Sequence, residues 1–256
     1  MPFTLSHPAA VLPLRNFARG AFPLTALVAG SVSPDIPYYF TPFNIPYVTG
    51  NAHTIARTFT YCLPVGLTLL ALLRLLEPVL RALLPEGPGA LLRSGLGRPI
   101  LTPRALPLSC VAVVLGALTH IAWDSFTHHD GFMVELLPFL QLETYFGFEL
   151  FRVLQHLSTA FGLAVLYLYL RRECATLGRP LEWRQSRKWI ALAAAAAAAL
   201  AFTALTYTTD WNYALTSNDR RLGFLFLISF LRNFAVAAVL AAGALRLFWN
   251  VPQREG

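Results

Sequence analysis

Five stretches of the chain read as unbroken apolar helix, near residues 55–73, 106–126, 151–170, 188–209 and 222–249. Each is about 19 residues or longer, enough to cross a hydrocarbon core of about 30 Å at roughly 1.5 Å per residue. The pattern predicts an all-α integral membrane bundle of about five spans, a single membrane domain over residues 1–256. The apolar run Ala21–Val32 is too short to span and predicts a buried or re-entrant helix within an extracytoplasmic segment, residues 1–52. Further along, Pro34, Pro37, Pro42 and Pro46 alternate with Tyr38, Tyr39, Phe40, Phe43 and Tyr47. Proline fixes φ and removes an amide donor, so loops and short helices are expected there. The aromatics suit the membrane–water boundary.

Residues 127–150 join the second and third spans. FMVELLPFLQLETYFGFEL is apolar but carries Glu135, Glu143 and Glu149, which predicts an interfacial hairpin broken near Pro138. Loop 74–105 opens with the amphipathic RLLEPVLRALL, expected to lie along the inner interface. It continues through Pro85, Gly87, Pro88, Gly95, Gly97, Pro99 and Pro103 as an irregular linker. The run Ala193–Ala199 in the fourth span permits close helix approach.

Composition agrees with a membrane protein: 56% of residues are hydrophobic and 13% charged. The net charge of +7 is a topological signal, not a nucleic-acid one. Arg74, Arg81, Arg93, Arg98 and Arg104 fall in loop 74–105. Arg171, Arg172, Arg179, Arg184, Arg187 and Lys188 fall in loop 171–188, whereas 127–151 has no Lys or Arg. The positive-inside rule puts both basic loops in the cytoplasm and the N-terminus and hairpin outside, in the inner (plasma) membrane. Arg15, Arg19, Arg57, Arg220 and Arg221 on the outer side run against it. The three cysteines form no C-x-x-C pair and no disulfide framework. No basic, then apolar, leader opens the chain.

All six histidines fall on that outer side: His7, His53, His120, His128, His129 and His156. His120 and Asp124 form H-x-x-x-D, which stacks imidazole and carboxylate on one helix face. Both donors suit zinc, at roughly 2.0–2.2 Å. The pair lies deep in a span, where an ionisable side chain is costly and usually has a partner or a function. The bland alternative is a hydrogen-bonded His–Asp pair holding helices together. His128 shares the face if the helix continues; which of His128 and His129 turns inward stays open, the other then facing solvent. Asp35, in S-P-D-I-P, reads first as a turn or N-cap. His7 reads equally as a packing histidine, and His53 as a helix cap. Glu149, Arg152 and His156 share a face, leaving Glu149 as ligand, orienting group, general base or merely half of a surface ion pair. Asp210 reads as a solvated helix end. No G-x-S-x-G, H-E-x-x-H or Gly-rich phosphate loop is present.

The segments MPFTLSHPAAVLPL, ALVAGSVSPDIPYY, NAHTIARTFTYCLPVGL, GALTHIAWDSFTHHDG and LQHLSTAFG resemble an uncharacterised bacterial membrane-protein family, domain of unknown function 4184. That family is similar to membrane-bound metal-dependent hydrolases. In ligand order it is remotely similar to zinc-dependent phospholipase C and the related single-strand nucleases. The resemblance implies metal ligands at His7, Asp35, His53, His120, Asp124, His128 and His156. It also implies that Asp35, His53, His120 and Asp124 surround one ion, with Asp124 able to bridge. Where those enzymes carry a late Glu this chain has Ala160, so one or two ions are expected, with Glu149 the substitute candidate. Those enzymes also use an N-terminal Trp amine, where this chain has Met1–Pro2.

The resulting expectation is a zinc-type hydrolase at the outer interface. Its water would be oriented by Asp35, Asp124 or Glu149. Its substrate would be a membrane lipid or another lipid-linked or phosphoester compound, and no nucleic acid. The alternatives are an ion- or metal-handling transporter and a non-catalytic membrane protein with a structural metal.

Overall fold

The computed structural model describes residues 4–17, 21–43, 52–97, 100–145, 147–179, 181, 186–217 and 221–248. Their regular elements are helical, with one isolated antiparallel bridge between Glu143 and Glu149. In chain order the helices are α1 (Leu12–Phe17), α2 (Leu24–Val32), α3 (Ile55–Leu83), α4 (Glu86–Gly97), α5 (Leu106–Asp124), α6 (Phe132–Leu136), α7 (Leu150–Thr176), α8 (Ser186–Ser217) and α9 (Arg221–Phe248). Two 3-10 stretches, Thr4–Val11 and Ser33–Phe43, flank α1 and α2. Five helices, α3, α5, α7, α8 and α9, contain segments long and apolar enough to cross a membrane. Pro46, Tyr47, Arg19, Arg98, Pro99, Arg184 and Arg220 lie outside the described residues, as do the side chains of Asp210 and Arg221.

The chain divides into two compact units. The first comprises Met1–Pro37, Pro46–Arg74 and Ser94–Glu173; the second comprises Tyr38–Ile45, Leu75–Arg93 and Cys174–Gly256.

Within the first unit, α2 is the short apolar helix expected between 21 and 32. It lies buried against the middle of α5. With lipid on all sides no hydrophobic force separates helix from lipid, and close packing must hold the pair. Two glycines allow it. A Cβ on Gly30 would stand 2.1 Å from the Val113 carbonyl oxygen, and one on Gly116 would stand 2.1 Å from that of Leu27. Ala26, Leu27 and Ala29 of α2 and Ala112, Val113 and Ala117 of α5 are buried around this crossing.

The start of α3 contains a π-turn, Thr58–Cys62, and its N-cap Thr54 accepts from the Arg57 amide at 3.3 Å. Loop 74–105 differs from the sequence expectation. α3 runs on to Leu83, and residues expected to form an irregular linker form α4 instead. Pro88 stands in the first turn of α4, where amides have no helical partner, so its missing N–H costs little. In the hairpin, α6 stops at Leu137, the residue before Pro138, as the steric bar on αR before proline requires.

Candidate metal centre

Each polar side chain of the centre is placed by a different local structure. His120 and Asp124 occupy the last turn of α5. Asp35 sits in the first turn of the 3-10 stretch that continues α2. His53 lies in the turn before α3, and His7 in the N-terminal 3-10 stretch. Crossing of α2 and α5 brings the first three together, because the carbonyl of Ser31 accepts from Nδ1 of His120 at 2.6 Å. A carbonyl can only accept, so Nδ1 carries the proton and Nε2 presents a lone pair into the cluster. This is the usual way an outer group orients a metal-binding imidazole.

Four donor atoms converge there. Nε2 of His53 stands 3.3 Å from Oδ1 of Asp35 and 3.5 Å from Oδ2 of Asp124. Nε2 of His120 stands 3.4 Å from Oδ1 of Asp35, 3.2 Å from Oδ2 of Asp124 and 3.3 Å from Nε2 of His53. Charge-assisted hydrogen bonds are shorter, about 2.7–2.9 Å. A tetrahedron of ligands about 2.0–2.1 Å from a central ion has edges about 1.6 times longer, roughly 3.3–3.4 Å. The five measured separations bracket that value. Asp35, His53, His120 and Asp124 could therefore hold a metal ion.

Burial sharpens the point. Asp35 and His120 are fully buried and Asp124 nearly so. Oδ2 of Asp35, both carboxylate oxygens of Asp124 and both ring nitrogens of His7 lack a hydrogen-bond partner. An unsatisfied buried polar group costs roughly 1–3 kcal/mol, more if charged, and a cation removes that cost. The last carbonyls of α2 also point toward this end of the helix, adding negative potential.

His7 stacks on His120, with ring centroids 3.7 Å apart and planes 20° apart. Its Nε2 is 3.4 Å from the outer oxygen of Asp124, Oδ1. Burial pushes the His7 pKa down to about 4, so the ring is neutral and able to ligate at neutral pH.

The open question between His128 and His129 has a geometric answer. The helical turn continues past Asp124, with the His128 amide donating to the Asp124 carbonyl at 3.1 Å. Nδ1 of His128 donates to the same carbonyl at 3.1 Å and lies 3.6 Å from Oδ2 of Asp124. Burial lowers the His128 pKa. His129 is exposed and packs edge-on against Phe151 instead. His53 and His128 are 26% and 25% exposed and form the open side of the centre.

Two other candidates stand apart. Glu149 pairs with Arg152 at 2.7 Å on the surface. His156 is exposed on α7. Neither is among the residues that converge. Sequence reasoning missed the Ser31 carbonyl and the Gly30/Gly116 contact. A backbone acceptor leaves no side-chain signal, and only the small residues at both positions hinted at close approach.

No curated protein and no solved structure matches the chain. Over residues 1–243 it matches the family described as a domain of unknown function, DUF4184, and the chain belongs to that family.

Proposed function

We propose that this protein is a metal-dependent hydrolase working at a membrane interface on a phosphoester or lipid-linked substrate. The carrying observation is the convergence of Asp35 Oδ1, His53 Nε2, His120 Nε2 and Asp124 Oδ2, five of whose six separations match the edges of a tetrahedral site, with one side partly exposed. The four protein donors would fill a tetrahedron, so a water would have to join as a fifth ligand, at the partly exposed edge beside His53 and His128. Zinc fits the mixed imidazole and carboxylate donors. Such an ion lowers the pKa of a coordinated water to about 7 and polarises a substrate oxygen.

The protein's own groups do the rest. Oδ2 of Asp35 has no partner and can accept a proton from an attacking water, orienting its lone pair. His128, at the mouth with Nδ1 committed to a carbonyl, offers Nε2 to substrate or leaving group. The separation of His7 Nε2 from Asp124 Oδ1, 3.4 Å, repeats the edge length of the quartet and supports a second ion on that oxygen. The distribution of arginines supports an extracytoplasmic site in the plasma membrane.

Elemental analysis of detergent-purified protein tests the reading, alongside phosphodiester and phospholipid hydrolysis with and without chelator. One or two equivalents of a divalent metal are expected, absent from His120→Ala/Asp124→Ala, with chelator-sensitive hydrolysis. Unchanged metal content in the double variant would sink the ligand assignment. Stoichiometric metal without hydrolysis of any ester would leave a structural centre.

A further inference from the structure

The hairpin between α5 and α7 exposes an unusual surface. Phe132, Leu136, Phe139, Leu142, Tyr145 and Phe148 recur every three or four residues, and all are more than half exposed, Tyr145 99% and Phe132 67%. Beneath them Val134, Leu140 and Phe151 form a small core of their own. The hairpin is therefore folded, with its aromatic side turned outward.

We infer that residues 132–148 are a lipid-inserted wedge that sets a membrane lipid's headgroup against the open side of the metal centre. The inference rests on the hydrolase reading for its catalytic half only. Three observations carry it. First, the hairpin joins the ends of two spans, Asp124 and Leu150, so it begins and ends at the membrane boundary. Large apolar surfaces at that level are covered by lipid. Second, residues 127–151 contain no Lys or Arg, and Glu135 and Glu143 are exposed. Attachment is thus apolar and shallow, not an attraction to anionic headgroups. Third, the wedge is fastened to the ligand turn. The Val134 amide donates to the Ser125 carbonyl at 3.1 Å, and the Gly131 amide to that of His128 at 3.0 Å. A Cβ on Gly131 would come within 2.4 Å of the Ser125 oxygen. The wedge and the turn carrying Asp124 and His128 hold one fixed geometry, so a lipid held by the first is presented to the second.

The test has two arms. In the first, Phe139→Cys is labelled with an environment-sensitive fluorophore in a Cys110→Ala background, since Cys62 and Cys174 are buried. The protein is placed one copy per nanodisc of phosphatidylethanolamine and phosphatidylglycerol. Quenching by shallow spin-labelled lipid and protection from iodide are expected, unchanged by high salt. Iodide quenching without lipid quenching overturns the wedge. So does protection from both quenchers that appears only when two copies share a disc, which would make the surface a self-association face.

In the second arm, Phe132→Ser/Phe139→Ser/Leu142→Ser changes only exposed side chains, so metal content should hold. Cleavage of bilayer phospholipid should fall by roughly tenfold or more, because several large apolar groups leave the lipid. Cleavage of a short-chain, water-soluble analogue should not change. Equal loss on both substrates refutes lipid delivery. If the wild type cleaves neither substrate, the hydrolase reading fails, and the quenching arm still decides whether the wedge enters lipid.

Discussion

Two buried polar clusters in this molecule make a useful contrast. In the second unit Thr203, Asn233 and Arg232 meet between α8 and α9. Thr203 donates to the Ala199 carbonyl at 2.7 Å and accepts from Asn233 Nδ2 at 2.9 Å. Oδ1 of Asn233 takes Nε and Nη2 of Arg232, both at 3.2 Å, and Nη1 reaches the Tyr39 carbonyl at 3.4 Å. Donors alternate with acceptors, and the chain of hydrogen bonds closes on the backbone. The first unit's cluster is built differently. Ligand atoms of two imidazoles and two carboxylates face one another, and three carboxylate oxygens have no hydrogen-bond partner. A self-satisfied network needs nothing added to hold helices together. A set of converging ligand atoms could hold a metal ion.

Substitutions that remove a carboxylate sharpen the contrast most. Asp35→Asn and Asp124→Asn keep volume but remove charge and a strong ligand. Each should weaken metal affinity by at least about a hundredfold, beyond the 10–100-fold typical of outer groups. Competition with a chromophoric chelator measures it. Affinity equal to wild type in Asp35→Asn would show that Asp35 is only a helix-start acceptor.

Gly116→Ala should come next. Its Cβ would collide with the Leu27 carbonyl, so α2 and α5 must separate. The Ser31 carbonyl then leaves Nδ1 of His120, and metal affinity should fall about 10–100-fold. An alanine mid-helix that leaves both affinity and thermal stability intact would deny the role given to this crossing.

Asn233→Leu breaks the other cluster. It should lower stability by roughly 1–2 kcal/mol, in the range of intramembrane hydrogen bonds, and leave metal content untouched. Thermal unfolding in detergent, paired with elemental analysis, reads both. Metal loss here would mean the two clusters are one functional site.

The sequence carried some of this directly. Apolar runs placed all five candidate spans, because membrane-crossing length and composition are local properties. His120 and Asp124 were legible as a pair, since i, i+4 spacing on a helix needs no tertiary knowledge. Asp35 and His53 were not. Alone, each satisfies a turn or cap, and only their meeting in space makes them candidate ligands. α4 is hidden in the sequence because Gly and Pro disfavour a helix interior, whereas Pro88 stands in its first turn. The choice of His128 over His129 depended on whether the chain kept turning past Asp124, which the sequence left open.

The smallest expected effect is also the most discriminating. By resemblance, His156 and Glu149 belong with the ligands; in the structure both lie at the surface, Glu149 in an ion pair with Arg152. An exposed pair of this kind contributes little, about 0–1 kcal/mol. His156→Ala and Glu149→Gln should therefore leave metal content unchanged and affinity within about twofold, against the 10–100-fold lost when a true outer group is removed. The same preparations that lose metal on Asp35→Asn should keep it here. If His156→Ala sheds one of two equivalents, α7 must swing inward when metal binds, and the centre would then include a ligand that its present geometry leaves in the open.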